Sequence, residues 1–203
     1  FYDEETQTVI KSLLQVWSNS NIILVDWSAC PTDYVGAKHM FKEADKILKS
    51  LIGAGLKTER THVIGFGLGT FIAGYVAKFF NNASLPLARV TGLNPHNLIN
   101  APFLAPYEIK RSDAKFVDII HTDEVFGSPT TNGHVDFWPN GGKDQVGCYG
   151  DALCDHFRTW RYFSESVSKK PSSLKFLSSS CPSNVTTFNS HNCNGESSVS
   201  MGF

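Results

Sequence analysis

Three glycines at alternate positions, Gly65-Phe66-Gly67-Leu68-Gly69, join two apolar stretches of the chain. A glycine turn between a strand and a helix serves two common chemistries. Its backbone amides can close on a pyrophosphate, as in a dinucleotide fingerprint. Alternatively it forms a nucleophile elbow of the G-x-S-x-G kind, whose flanking glycines permit a bend sharp enough to expose a serine. Here the spacing is G-x-G-x-G followed by Thr70, so the third fingerprint glycine is misplaced, and the next strand-end residue that would grip a ribose is Asn94, which is not acidic. Both points weigh against a dinucleotide-binding enzyme. A third use, close packing of strand on helix, fits the glycines taken alone.

Two other sets of residues could do chemistry. His121, His134, Asp113, Asp118, Asp123 and Asp136 form a polar group in which a metal site can be imagined. Residues alternating along strands more often hydrogen-bond inside or face solvent, so no metal and no cofactor are expected. Of the five cysteines, Cys148 with Cys154 and Cys181 with Cys193 make two close pairs, whereas Cys30 is left over. Such spacings are not those of zinc ligands, and short loops closed by disulfides belong to oxidising compartments. The sequons at Asn82 and Asn184 agree with a secreted, glycosylated protein. The chain opens on Phe1 without a charged-then-apolar leader, so its signal segment is expected upstream.

The elements that must position these groups read as alternating strands and helices. Strand candidates are Asn21–Asp26, Thr61–Phe66, Arg89–Leu93 and Lys115–His121. Val35–Ile52 carries apolar residues at helical spacing, Leu68–Phe80 is apolar nearly all round and reads as a buried helix, and Asp155–Ser168 reads as a third helix. Phe71, Tyr75, Phe79 and Phe80 are expected to pack that buried helix into the core. Pro95–Pro106 and Gly127–Gly147 are irregular, and the tail from Lys169 is a Ser-rich loop held by cysteines. This alternation predicts an α/β fold with a mainly parallel sheet and flanking helices, whose reactive groups sit at the carboxyl ends of strands. With 203 residues, 41% of them hydrophobic, the chain can bury a substantial core. Its net charge of −1 excludes a nucleic-acid partner recognised through a basic surplus, and no apolar run of about 18 residues would span a membrane.

Ordered blocks then narrow the reading. Val25-Asp26-Trp27-Ser28, His62-Val63-Ile64-Gly65-Phe66-Gly67-Leu68-Gly69 and Val90-Thr91-Gly92-Leu93-Asn94-Pro95 are followed by Ser112–Asp118, Ile120-His121-Thr122-Asp123 and Gly133–Gly142. Together they resemble the animal neutral-lipase family, which includes pancreatic-type lipases, venom A-type phospholipases and the lipase-related yolk proteins of flies. The resemblance covers essentially the whole chain and implies an α/β-hydrolase fold, with residues 1–203 forming one partial domain whose first strands lie upstream. It implies a Ser-His-Asp triad whose positions correspond here to Gly67, His156 and Asn94, so that only the histidine is retained. The oxyanion-hole positions correspond to Leu68 and Phe1. Cys30 matches a cysteine that relatives pair near the mature amino terminus.

Removing a triad serine costs about a millionfold in turnover, and replacing the acid by its amide costs roughly 10⁴ when the serine is present. The expectation is therefore an inactive lipase-fold protein that binds a lipid or apolar ester, or serves in storage, with contact at a lipid interface. The alternative is an active triacylglycerol lipase or A-type phospholipase, which requires a serine at position 67. Only Tyr149–Leu153 lie between Cys148 and Cys154, which resembles the reduced lids of the venom phospholipases rather than the long pancreatic lid. Some pancreatic lipases place calcium near the segment matching Glu108–Asp113, where this chain has Lys110 and Arg111 instead.

Overall fold

The computed structural model describes residues 4–26, 34–99, 102–168, 176–180 and 198–201. In chain order its elements are α1 (Glu4–Val16), α2 (Tyr34–Gly53), β1 (His62–Phe66), α3 (Gly69–Asn82), β2 (Leu87–Leu93), β3 (Ala114–Ile120), β4 (Val135–Phe137), α4 (Ala152–Val167), β5 (Leu177–Ser179) and β6 (Ser198–Ser200). Two compact units divide the chain, one comprising 26–121 and 126–136, the other 1–25, 122–125 and 137–203.

The first unit is built on the sheet, whose strand order is β1-β2-β3-β4. β1 pairs parallel with β2 and β2 parallel with β3, as the alternation of strands and helices predicts. The register sets Phe66 beside Leu93 and Leu93 beside Ile120, so three carboxyl ends lie in one row. α3 packs on β1 and β2, and α2 packs on α3. This explains the all-round apolar character of α3, since it is covered on more than one side. Leu48, Ala73, Ala77, Phe80, Leu87, Val90, Val117 and Ile119 form the main core cluster, against which Tyr75 and Phe79 also pack. In α2 the buried Met40, Ala44 and Leu48 recur every fourth residue, and the Tyr75 hydroxyl of α3 donates to Asp45 of α2 at 2.6 Å.

A polar network crosses the same sheet. Arg89 grips the fully buried Asp118 with two hydrogen bonds of 2.8 and 2.7 Å. The Thr91 hydroxyl donates to Asp118 at 2.8 Å, which leaves its oxygen to accept from His62 Nε2 at 2.7 Å. Burial, with the Arg89 guanidinium second, pushes the His62 imidazole down to about 3.

In the second unit α1 packs on α4, Val9 and Leu13 of α1 and Phe163 and Val167 of α4 are buried, and the buried hydroxyls of Ser12 and Ser164 meet at 2.7 Å. Asp151 caps α4 by accepting from the amides of Leu153 and Cys154, a contribution of about 1 kcal/mol. β5 and β6 pair antiparallel. Helix α1, strand β4 and this pair were not legible in the sequence.

One expected element is absent. Residues 21–26 are irregular rather than a strand, and Ile23, Leu24 and Val25 are 53%, 42% and 46% exposed. Ladder hydrogen bonds hold a parallel strand in place, and none of the described strands pairs with this segment. An apolar run without a ladder neighbour has nothing to fix it as a strand.

Candidate functional site

The glycine turn follows β1 directly. Gly67 has φ 52°, in the left-handed region that a side chain makes costly. Its N–H donates to Leu93 O at 3.0 Å. Its carbonyl accepts from the Thr70 hydroxyl at 2.7 Å and from the amides of Thr70 and His96 at 3.2 and 3.3 Å. The bend is thus held by its backbone alone. Gly65, two residues earlier, makes the close approach possible: a Cβ there would sit 2.7 Å from Gly69 O and 2.8 Å from Thr70 Cα. Leu68, the residue of the expected oxyanion position, has helical φ and ψ at the N-terminus of α3.

Asn94 follows β2 on the neighbouring strand end. It is fully buried, has φ 41°, and donates its N–H to Ile120 O at 2.7 Å. Asparagine is among the few side-chain-bearing residues that visit this conformation readily. Parallel pairing therefore brings Gly67 and Asn94 onto adjacent strand ends within one unit.

His156 belongs to the other unit. It lies in the first turns of α4, buried, with its Nδ1 3.3 Å from Asp123 Oδ2. The other carboxylate oxygen, Asp123 Oδ1, accepts the amide of Val125 at 2.8 Å. Gln145 frames the pair: its side-chain amide donates to Thr122 O at 2.8 Å and to Pro139 O at 3.0 Å, while its backbone N–H donates to Asp155 Oδ1 at 2.7 Å. Burial raises the Asp155 carboxyl above its ordinary value, against the Gln145 amide, and the carboxylates of Asp144, Asp123 and Asp151 push it the same way. His156 accordingly has a carboxylate on Nδ1, although the resemblance placed the acid position at Asn94. Sequence reasoning grouped Asp123 with the general polar cluster. Its location three residues beyond the end of β3, where parallel sheets carry their chemistry, was the available signal.

The rest of that cluster resolves into structural pairs. His121 is buried with Nδ1 3.0 Å from Ser128 O and Nε2 2.9 Å from Asp136. His134 accepts the Val117 amide on Nδ1 at 3.0 Å. Asp118 serves the sheet network. Among the described residues no three His, Cys, Asp or Glu side chains gather in a way that could hold a metal ion.

The segment matched to calcium binding carries a cation of its own. The Lys78 ammonium donates to Glu108 O and to Asp113 Oδ2, both at 2.6 Å, and Asp113 Oδ2 also accepts the Lys110 amide at 2.8 Å. With the charge of Asp113 already met by an ammonium, these residues do not fit a divalent ion.

The Cys148–Cys154 disulfide forms as the spacing predicts. Apolar side chains are exposed in this loop and just before it: Tyr149 is 98% exposed at φ 54°, Leu153 55%, and Val146, two residues ahead of Cys148, 75%. Asn82 is exposed at the end of α3. The expectations for Phe1, Cys30, Cys181, Cys193 and Asn184 fall outside the described residues.

Comparison with known proteins gives the family of the chain. The family model described as Lipase matches residues 1–203. Lipase member H-A of Xenopus laevis is 31% identical over 175 residues, covering 79% of this chain and 37% of the relative. Pancreatic triacylglycerol lipase of Oryctolagus cuniculus is 33% identical over 217 residues, covering 90% and 44%. Phospholipase A1 member A of Homo sapiens is 31% identical over 188 residues, covering 86% and 38%. The chain thus spans less than half the length of each of these relatives.

Proposed function

The chain belongs to the lipase family, and from that premise we propose that it is a secreted member that has given up serine-based ester hydrolysis and keeps an apolar-ligand role. One observation carries the reading: the turn that would present a nucleophile has glycine at its bend, in a left-handed conformation anchored by backbone partners. Acyl transfer by this route needs a side-chain oxygen to attack the carbonyl carbon, and Gly67 has none. A nucleophile elbow stores backbone strain of about 1–3 kcal/mol when it bears a side chain, and glycine removes that cost. The substitution keeps the scaffold and gives up the reaction.

The exposed Val146, Tyr149 and Leu153 support the binding half of the proposal. An apolar group at the tip of a disulfide-closed loop inserts readily into a headgroup boundary, where tyrosine is favoured. No described helix is long and apolar enough to cross a membrane, so contact with lipid would be interfacial.

Three measurements on the full-length protein test the reading. A fluorophosphonate probe should leave position 67 unlabelled, and any turnover of a short-chain ester should be indifferent to His156→Ala. Labelling at that turn, turnover abolished by His156→Ala, or a transcript with a serine codon at position 67 would restore the active-lipase alternative. Sedimentation with phosphatidylcholine vesicles tests the binding half, with Tyr149→Ser expected to lower the bound fraction several-fold without shifting the thermal midpoint.

A further inference from the structure

We propose that Asp123 is the carboxylate that orients His156, so that the acid–base half of the family's machinery persists in this chain with its acid supplied from beyond β3 rather than from position 94. The inference rests on membership of the lipase family and deepens the reading of the same site.

The carboxylate is placed for that task. Asp123 is buried, and its two oxygens face different groups. Oδ1 accepts the Val125 amide at 2.8 Å, which locks the rotation of the carboxylate. Oδ2 is left directed at His156 Nδ1, 3.3 Å away. A carboxylate on Nδ1 keeps the proton on that nitrogen and so leaves Nε2 as the basic one, which is the tautomer general-base chemistry requires. Three other described histidines are used differently. His134 accepts on Nδ1, His62 donates from Nε2 to Thr91, and His121 has oxygen acceptors on both ring nitrogens. Of these four rings, His156 is the one whose carboxylate sits on Nδ1. Burying an aspartate beside a histidine is costly unless its oxygens are met, and here both are.

The geometry also states what an amide would do in that place. In Asp123→Asn the side-chain oxygen would keep the Val125 amide, which puts the NH₂ group where Oδ2 now faces the ring. An NH₂ donates to Nδ1 and drives the ring proton onto Nε2. Asp123→Asn should therefore invert the tautomer while leaving the backbone contact intact. Asp123 acts through His156 and is thus a positioning residue.

Nitrogen-15 NMR of the full-length protein decides the matter. The neutral His156 ring of the unmodified protein should carry its proton on Nδ1, and Asp123→Asn should move it to Nε2 with an unchanged melting curve. An Nε2-protonated ring in the unmodified protein overturns the proposal, and so does a tautomer indifferent to Asp123→Asn. A second arm works in the Gly67→Ser background. Ester turnover there should fall about 10³- to 10⁴-fold on adding Asp123→Asn, with KM nearly unchanged, and should change less than tenfold on adding Asn94→Asp. Turnover that depends on Asn94→Asp and ignores Asp123→Asn overturns it. Hydrolysis by the unmodified protein would remove the inactive-scaffold reading while leaving the assignment of Asp123 standing.

Discussion

The bend after β1 and the start of α4 have been treated differently by the sequence. At the bend only the backbone makes contacts: Gly67 holds φ 52° through hydrogen bonds to Leu93, Thr70 and His96, with no side chain projecting from it. At the start of α4 the side chains make the contacts: His156 has the buried Asp123 carboxylate on Nδ1, and Gln145 hydrogen-bonds their chain neighbours Thr122 and Asp155. On the proposed reading the absent nucleophile is one atom on one residue, and a glycine at this bend carries no structural penalty because its φ lies in the left-handed region. An imidazole–carboxylate pair belongs to a packed network, and removing one partner leaves another buried polar group unmet.

The largest test of this contrast is to return the missing oxygen. If the proposed reading holds, Gly67→Ser should raise short-chain ester turnover by about 10³-fold or more over the unmodified protein, measured at saturating substrate, because it restores the one side-chain oxygen that this reading finds missing. A flat response would show that the α4 region has lost its function as well.

Next in size is the platform beneath the bend. Asp118 is fully buried and ties Arg89 and Thr91, and through Thr91 it reaches His62 on β1. Asp118→Ala leaves the Arg89 guanidinium largely buried without its counter-charge and should cost about 3–5 kcal/mol in denaturant unfolding. A cost below about 1 kcal/mol would mean that the sheet does not depend on the network.

The same network predicts a pH dependence. In the unfolded chain His62 takes its proton near 6.5, whereas in the fold it does so only at about 3. Between these values the unfolded state binds more protons, so stability present above pH 6.5 is lost as the pH falls toward 3. The slope from this residue is at most about 1.4 kcal/mol per pH unit. His62→Gln should flatten that part of the stability–pH curve.

The smallest effect separates the backbone from the chemistry. Gly67→Ala should cost only about 1–2 kcal/mol, the penalty of a left-handed residue bearing a Cβ, and should leave ester turnover where it was. A larger loss would show that the bend tolerates no side chain at all, and would make the serine variant a test of folding as much as of catalysis.

Much of this was legible in the chain. The periodic apolar residues of α2, the all-round apolar α3 and the runs of β1, β2 and β3 stand within a few residues of where they were expected. Each is long or apolar enough for its burial to dominate local preference. The failures have local causes as well. Residues 21–26 have the composition of a strand but no described ladder neighbour, and composition does not supply one. α1 owes its place to contacts with α4, more than 130 residues away in the chain, including the Ser12–Ser164 pair.

The site divides in the same way. That position 67 lacks an attacking oxygen, that position 94 is an amide and that His156 is present are facts of residue type, and the sequence alone determines them. That Asp123 faces His156 was decided by the tertiary structure. Thirty-three positions separate the two residues, and a hydrogen bond depends on the distance and direction between side chains, which the fold sets and which spacing along the chain does not encode.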